Sequence, residues 1–305
     1  MTLFQYQTCP FCCKVRTFLD YYGIAYDIVE VNPVMRREIS FSKNYRKVPI
    51  LLAQNTNSDN NENYALQLND STLIISTLTS YIMSLKPQSR HHKESLFSIT
   101  RWYLNSEVLI NDFVDEESKH IYKAQKVVDE LVNKYFLMIG DVDPSKYKDM
   151  DPPLAEERNW RQWADNEFVH VLSPNIYRTI DEAKRSFNHF STVADWESTM
   201  NSFERNLVIQ LGAFVMYFVS KSLKKKHHLK DDVRESLFDY AKHWSTKGVS
   251  DKTFLGGDKP NLGDLVSEII KITIFLIFLI IFFIIFRLFM QIFVLLKDVK
   301  RLMIL

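Results

Sequence analysis

A chain of 305 residues, 46% of them hydrophobic, is long enough to bury two cores. Its formal net charge of +1 argues against general nucleic-acid binding. Three cysteines, two of them in a Cys-x-x-Cys, do not make a disulfide framework and suit a reducing compartment.

Leu3 to Tyr6 reads as a short apolar strand, and Cys9-Pro10-Phe11-Cys12 opens the helix after it. Cys9 falls at the N-cap and Pro10 at the first helical position, where the missing N–H of proline costs nothing. Phe11, Val15, Phe18, Leu19 and Tyr22 follow at helical spacing and predict one buried stripe. Unpaired backbone N–H groups and the positive end of the helix dipole favour the thiolate, so Cys9 is the candidate nucleophile. Cys12, one turn inside, is the resolving or hydrogen-bonding partner, and Tyr6 is within reach as a donor to sulfur. Cys13 reads as a small structural residue, because a disulfide between adjacent cysteines is strained. The pair has no second Cys or His pair at ligand spacing, so no metal site is expected.

Val48-Pro49 opens the next apolar run, Val48 to Leu52, and an X-Pro bond is the cheap place for a cis peptide. The backbone of Val48 can then pair with an extended peptide as an added strand would. Gln54 to Asn63 is Asn-rich and polar and reads as an elongated hairpin loop. Leu66 and Leu68 alternate with Gln67 and Asn69 as a half-buried strand. Asp70-Ser71 then start a helix with Ile74, Ile75, Leu78, Ile82 and Leu85 on its apolar face. That junction offers helix N–H groups to a carboxylate and the Asp70 carboxylate to an ammonium. The γ-glutamyl end of glutathione carries both groups.

Lys86 to His92 reads as an exit linker with an inert His91-His92 pair, Leu96 to Phe136 as helical, and Pro144 to Pro153 as a loop. From Glu156 onward helix follows helix. Trp160, Trp163 and Phe168 mark one by packing, and Leu207 to Val219 is apolar nearly all round, which predicts a buried core helix. Lys224 to Lys230 is a basic helix end, and Val233, Leu237, Tyr240 and Trp244 line a further helix that Gly248 should end at C′. Asn261 and Asp264 form a capping box.

Gln5-Tyr6-Gln7-Thr8-Cys9-Pro10-Phe11-Cys12, Val29-Glu30-Val31-Asn32-Pro33, Tyr45-Arg46-Lys47-Val48-Pro49-Ile50-Leu51 and Gln67-Leu68-Asn69-Asp70-Ser71 resemble the membrane-associated prostaglandin E synthase type 2 family. Trp160-Arg161-Gln162-Trp163-Ala164-Asp165 and Ser173-Pro174-Asn175-Ile176-Tyr177-Arg178 extend the resemblance, which runs from about Leu3 to about Leu265. It implies an α/β plus all-α chain: a thioredoxin-like, glutathione-binding domain over 1–85, connecting helices over 86–155, and a glutathione-transferase-like helical domain over 156–265. It also implies isomerisation of the prostaglandin H endoperoxide to prostaglandin E. Cys9, Cys12 and Tyr6 would be the reactive group, and Val48, Pro49, Asp70 and Ser71 the glutathione site. Haem ligated through the sulfur of glutathione, a homodimer, and a membrane location with the catalytic domain facing the cytosol, at Golgi or perinuclear membranes, come with the same resemblance. The family's N-terminal hydrophobic leader is not seen before the first strand.

After Leu265 the resemblance stops. Ile272 to Phe286 is essentially apolar, and with Leu288 to Leu296 it exceeds the roughly twenty residues needed to span a bilayer. Arg287 costs about 2.5–3.5 kcal/mol on insertion scales, which so many Ile, Leu and Phe residues offset. Residues 266–305 thus read either as a membrane anchor or as a translated A+T-rich non-coding segment. Two further functions stay open beside isomerisation: a glutaredoxin-like thiol–disulfide oxidoreductase, and a non-catalytic glutathione- or haem-binding membrane protein.

Overall fold

A computed structural model describes residues 1–43, 45–54, 65–87, 95–104, 134–137 and 152–267. The heart of the Asn-rich loop, the His91-His92 pair, most of the Pro144 to Pro153 loop and the tail from residue 268 lie outside the described residues.

The N-terminal part is a βαβ unit followed by a ββ pair and a closing helix. Strand β1 (Thr2–Gln5) lies parallel to β2 (Asp27–Glu30) and antiparallel to β3 (Ile50–Gln54), which is antiparallel to β4 (Ala65–Asn69). The order is β2-β1-β3-β4. Helix α1 (Pro10–Tyr21) carries the β1-to-β2 crossover, and α2 (Ser71–Ser84) packs beside it. Leu3, Val15, Phe18, Leu19, Leu51, Leu68, Ile74 and Ile75 form the core between sheet and helices.

Three details differ from the sequence reading. The stripe of α1 is Cys12, Lys14, Val15, Phe18 and Leu19, whereas Tyr22 is 39% exposed. Strand β4 is buried on both faces, because the Gln67 amide reaches Ser42 Oγ at 3.0 Å and Asn69 Oδ1 at 2.7 Å under the 39–45 segment. Of the helix expected over Leu96 to Phe136, α3 (Leu96–Leu104) is helical and residues 134–137 form a turn and extended chain, while 105–133 lie outside the described residues. The Tyr103 hydroxyl lies within hydrogen-bond distance of the carbonyls of Phe136 (2.8 Å) and Ser76 (3.0 Å), tying α3 to this stretch and to α2.

The helical part comprises α4 (Pro152–Trp163), a π-helical turn (Ala164–Phe168), α5 (Val169–Ile176), α6 (Ile180–Val193), α7 (Trp196–Thr199), α8 (Ser202–Lys226) and α9 (Val233–His243), with a second π-helical turn (Trp244–Val249). Helix α4 therefore starts at Pro152, inside the expected loop, with prolines in its first turn where their missing N–H groups are tolerated. Trp160 meets Trp163 edge-on at 5.1 Å and Trp244 at 5.0 Å, the packing role expected for the tryptophans. Gly248 does not end a helix at C′. It sits in the second π turn, where an added Cβ would lie 3.0 Å from the Trp244 ring and 3.2 Å from the Trp160 ring. The capping box holds: Asn261 Oδ1 accepts from Asp264 N at 3.1 Å, and Asp264 Oδ2 accepts from Asn261 N at 3.0 Å.

Helix α8 overturns the expectation of a buried core helix over Leu207 to Val219. Val208, Ile209, Ala213 and Ser220 are buried, with α5 and α6 as the main neighbours. Among the described residues nothing covers the opposite face: Phe203 is 79% exposed, and Leu207, Leu211, Phe214 and Phe218 are each more than half exposed. The helix has 25 residues and is long and apolar enough to cross a membrane. A layer of helices on one side covers one side, whatever the composition of the other.

Candidate active site around Cys9

Cys9 stands at the N-cap of α1 in extended conformation, with its N–H donating to the Tyr6 carbonyl at 3.0 Å and its carbonyl accepting from Cys13 N at 2.9 Å. Its thiol is held below the ordinary cysteine range. The first cause is a hydrogen bond from the Cys12 side chain, which outweighs burial; the backbone N–H groups of Cys12 and Phe11 and the charge of Arg16 add to it. Cys12 is pushed well up, by burial first and then by giving its S–H to Cys9. Cys12 thus acts as a proton donor to the Cys9 sulfur, a division of labour that Cys-x-x-Cys spacing on one helix turn makes available.

Arg16 is a group that motif reading passed over. It lies four residues after Cys12 on the same face of α1, and its guanidinium is fixed by the Gln5 side chain and, at 3.0 Å, by the Gln7 carbonyl. Helical spacing from Cys12 was the signal that could have found it.

The Val48–Pro49 peptide is cis, and the β3 ladder begins only at Ile50. Asp70 caps α2: its Oδ1 accepts from Thr72 N at 2.8 Å and Leu73 N at 3.3 Å. Its φ of 70° is left-handed, a conformation that costs a non-glycine residue about 1–3 kcal/mol and occurs where a site is over-determined. Ser71 is buried at the first position of α2. The ammonium expected to meet Asp70 is already represented within the chain: Lys134 Nζ lies 3.3 Å from Asp70 Oδ2. Tyr45 is raised mainly by burial and then by Asp70, whose backbone N–H bonds its phenol, with the two cysteines adding smaller effects.

The helical part contributes Tyr177, at the C-cap of α5. Its phenol is raised by burial and then by the charge of Cys9. Tyr177 lies inside a motif quoted for its resemblance, but nothing in that motif says which way the ring turns. A separate cleft of about 360 Å³, lined by Thr17, Tyr21, Phe254 and Leu265 among others, sits at the opposite end of α1 and takes no part in this chemistry.

Comparison with known proteins agrees with the fold. Residues 3–81 match the family described as glutathione S-transferase, N-terminal domain. The chain is 42% identical over 265 residues to prostaglandin E synthase 2 of Mus musculus, covering 87% of this chain and 61% of that protein. It is likewise 42% identical to prostaglandin E synthase 2 of Danio rerio, covering 62% of it. This chain resembles prostaglandin E synthase 2 along most of its length. It spans about three fifths of the length of those relatives.

Proposed function

We propose that the chain isomerises a prostaglandin H endoperoxide to prostaglandin E with a thiol cofactor. The observation that carries this reading is Cys9, a thiol lowered at a helix N-cap by the Cys12 side chain, in a chain 42% identical to proteins named for that product. The Cys9 thiolate attacks the weak O–O bond at the oxygen on carbon nine. A sulfur–oxygen bond forms, the O–O bond breaks, and the other oxygen leaves as alkoxide and is protonated to the hydroxyl. A base removes the proton on carbon nine, its electron pair makes the carbonyl, and the S–O bond breaks to return the thiolate. No net oxidation occurs.

Glutathione is the thiol we assign, and its own thiolate supplies a base when bound. The backbone of Val48 before cis-Pro49 lies outside the sheet ladder and is suited to pair with its peptide, while Asp70 and Ser71 meet its γ-glutamyl end. Lys134 must share or yield Asp70 for the ligand's ammonium to pair there. No step of the proposed reaction runs through haem.

We assign the exposed face of α8 to a second copy of the chain. Leu207, Leu211, Phe214 and Phe218 recur at alternating spacings of four and three, as in a helix pair, and the face between them is uncharged. Antiparallel pairing would set Glu204 near one end against Lys225 and Lys226 at the other. Attachment to a membrane, with the catalytic part on the cytosolic side, falls to residues 266–305.

A second reading, a glutaredoxin-like dithiol oxidoreductase, is favoured by the protonated Cys12 poised on Cys9. One experiment separates them. The full chain is incubated with the endoperoxide and glutathione and the products are resolved by mass spectrometry, for wild type, C9S and C12S. Isomerisation predicts prostaglandin E above the spontaneous background, lost in C9S and largely kept in C12S. Disulfide reduction that collapses in C12S, with no prostaglandin E in any sample, overturns the isomerase.

A further inference from the structure

We propose that Lys134 binds the carboxylate of the thiol cofactor, and that it makes the site select its ligand by that carboxylate and not by an ammonium. This deepens the proposed function and rests on Asp70 and Ser71 meeting the γ-glutamyl end of glutathione.

Lys134 is held in place through the backbone around it. The Lys134 carbonyl accepts from Ser76 Oγ of α2 at 2.6 Å, and the Tyr135 carbonyl accepts from Arg161 Nη1 of α4 at 3.1 Å. The Phe136 carbonyl lies 2.8 Å from the Tyr103 hydroxyl of α3. Ser76, Arg161 and Tyr103 are all buried. Three consecutive carbonyls are thus fixed by buried side chains from three different helices. The Tyr135 ring stands 5.3 Å from Lys134 Nζ, while its hydroxyl reaches Asp165 Oδ2 at 3.2 Å. What this anchoring presents is the Lys134 ammonium, 3.3 Å from Asp70 Oδ2 and 26% exposed. An ion pair as open as this adds little to folding. The buried bonds fix the segment, and the ammonium stays within reach of a ligand.

The selectivity follows from counting donors and acceptors. Asp70 Oδ1 accepts from the N–H groups of Thr72 and Leu73, and Oδ2 from Lys134. Both oxygens of that carboxylate are engaged by the chain itself. A ligand ammonium must therefore displace Lys134 or sit beside a second positive charge. A ligand carboxylate meets no such obstacle. A lysine ammonium has three N–H donors, and Asp70 takes one of them. The Asp70 carbonyl accepts from Ile74 N at 2.9 Å, so among the described residues the Ser71 N–H is the one left in the first turn of α2. Lys134 and Ser71 flank Asp70, one at its Oδ2 and the other next in the chain. A carboxylate set between them meets a cation and the positive end of the helix dipole. Lys134 then bridges Asp70 and the ligand without giving up either.

Isothermal titration of the full chain compares three peptides. They are glutathione, glutaryl-Cys-Gly, which lacks the α-ammonium, and γ-aminobutyryl-Cys-Gly, which lacks the α-carboxylate. On wild type, glutaryl-Cys-Gly should bind like glutathione and γ-aminobutyryl-Cys-Gly about tenfold more weakly, the scale of one charge-assisted hydrogen bond. K134Q should weaken the first two by a similar factor and leave γ-aminobutyryl-Cys-Gly no weaker, and K134R should recover part of the loss. The wild-type comparison uses no variant, so it decides even if K134Q is unstable. Equal binding of all three peptides, preference for γ-aminobutyryl-Cys-Gly over glutaryl-Cys-Gly, or a K134Q that weakens all three alike overturns the proposal, as does wild type that binds no glutathione. Prostaglandin E formed from the endoperoxide by the same proteins separates this outcome from that of the isomerase. Peptides bound in the expected order without product remove the isomerase and leave the carboxylate site standing. Product formed with the order reversed keeps the isomerase and removes the role of Lys134.

Discussion

Lys14 Nζ lies 2.5 Å from Asp165 Oδ1, joining α1 of the thioredoxin-like part to the π-helical turn of the helical part. Lys14 is 3% exposed and Asp165 11%, so water screens neither. Lys14 also donates to Thr72 Oγ1 at 3.1 Å, and the Tyr135 hydroxyl donates to Asp165 Oδ2 at 3.2 Å. Lys14 and Thr72 lie within two turns of Cys9 and Asp70 on α1 and α2, and Asp165 belongs to the helical part, so the cluster fixes the two walls of the cleft against each other.

Breaking the pair from one side should cost more than removing it whole. K14M leaves an unpaired buried carboxylate and should destabilise the chain by about 3–5 kcal/mol, whereas K14M/D165L should recover much of that loss. Urea unfolding of the three proteins measures both. Equal losses in single and double variants would mean the pair is not the joint.

The same carboxylate gives an acid limit. Burial works to raise Asp165, but Lys14, Thr72 and Lys134 outweigh it and hold the group below the ordinary aspartate range. The unfolded chain therefore binds the proton more readily than the folded one. The stability is present in full above the ordinary carboxylate range and is lost as pH falls through the lowered folded value. D165N should be less stable than wild type at neutral pH and should lose less on acidification, as read from the melting temperature against pH.

Cys12 is assigned as the donor that lowers Cys9. C12A removes that donor and should move the midpoint of Cys9 alkylation upward, while C12S keeps a hydroxyl donor and should stay closer to wild type. Alkylation rate against pH, with glutathione added to test protection, provides the measurement. An unmoved C12A would shift the credit to the helix terminus and Arg16.

The apolar face of α8 predicts the assembly state. Light scattering should report two copies for wild type and one for L211E/F218E, because two carboxylates in an apolar seam cannot be desolvated without large cost. Both residues are more than half exposed in the single chain, so the fold itself should survive. The Cys9 alkylation midpoint should be the same in both proteins, since neither residue is among the groups acting on the sulfur.

Much of the cleft could be read in one dimension because its parts are local. A cysteine before a proline at the start of an apolar stripe is an N-cap by spacing alone, and Asp70-Ser71 before Ile74, Ile75 and Leu78 is another; both caps stand where expected. Asn261 and Asp264 bond reciprocally for the same reason, their partners being three residues apart. Lys14, Arg16 and Arg161 carry no such local signal, since each is a charged residue whose partners include groups outside its own helix. Arg161, 1% exposed, bonds the Ser76 hydroxyl and the Tyr135 carbonyl, and no periodicity marks a basic residue for burial.

Helix α8 shows the opposite failure. Hydropathy correctly found an apolar helix, but burial depends on what lies beside it, and among the described residues α5 and α6 cover one side. Backbone periodicity and capping chemistry act within a few residues, so the sequence alone settled the strand and helix order of the N-terminal part and the cysteine that caps α1. Which cations reach that thiol, which phenols face it and which apolar surface stays open depend on contacts between distant segments, and only the tertiary structure decided them.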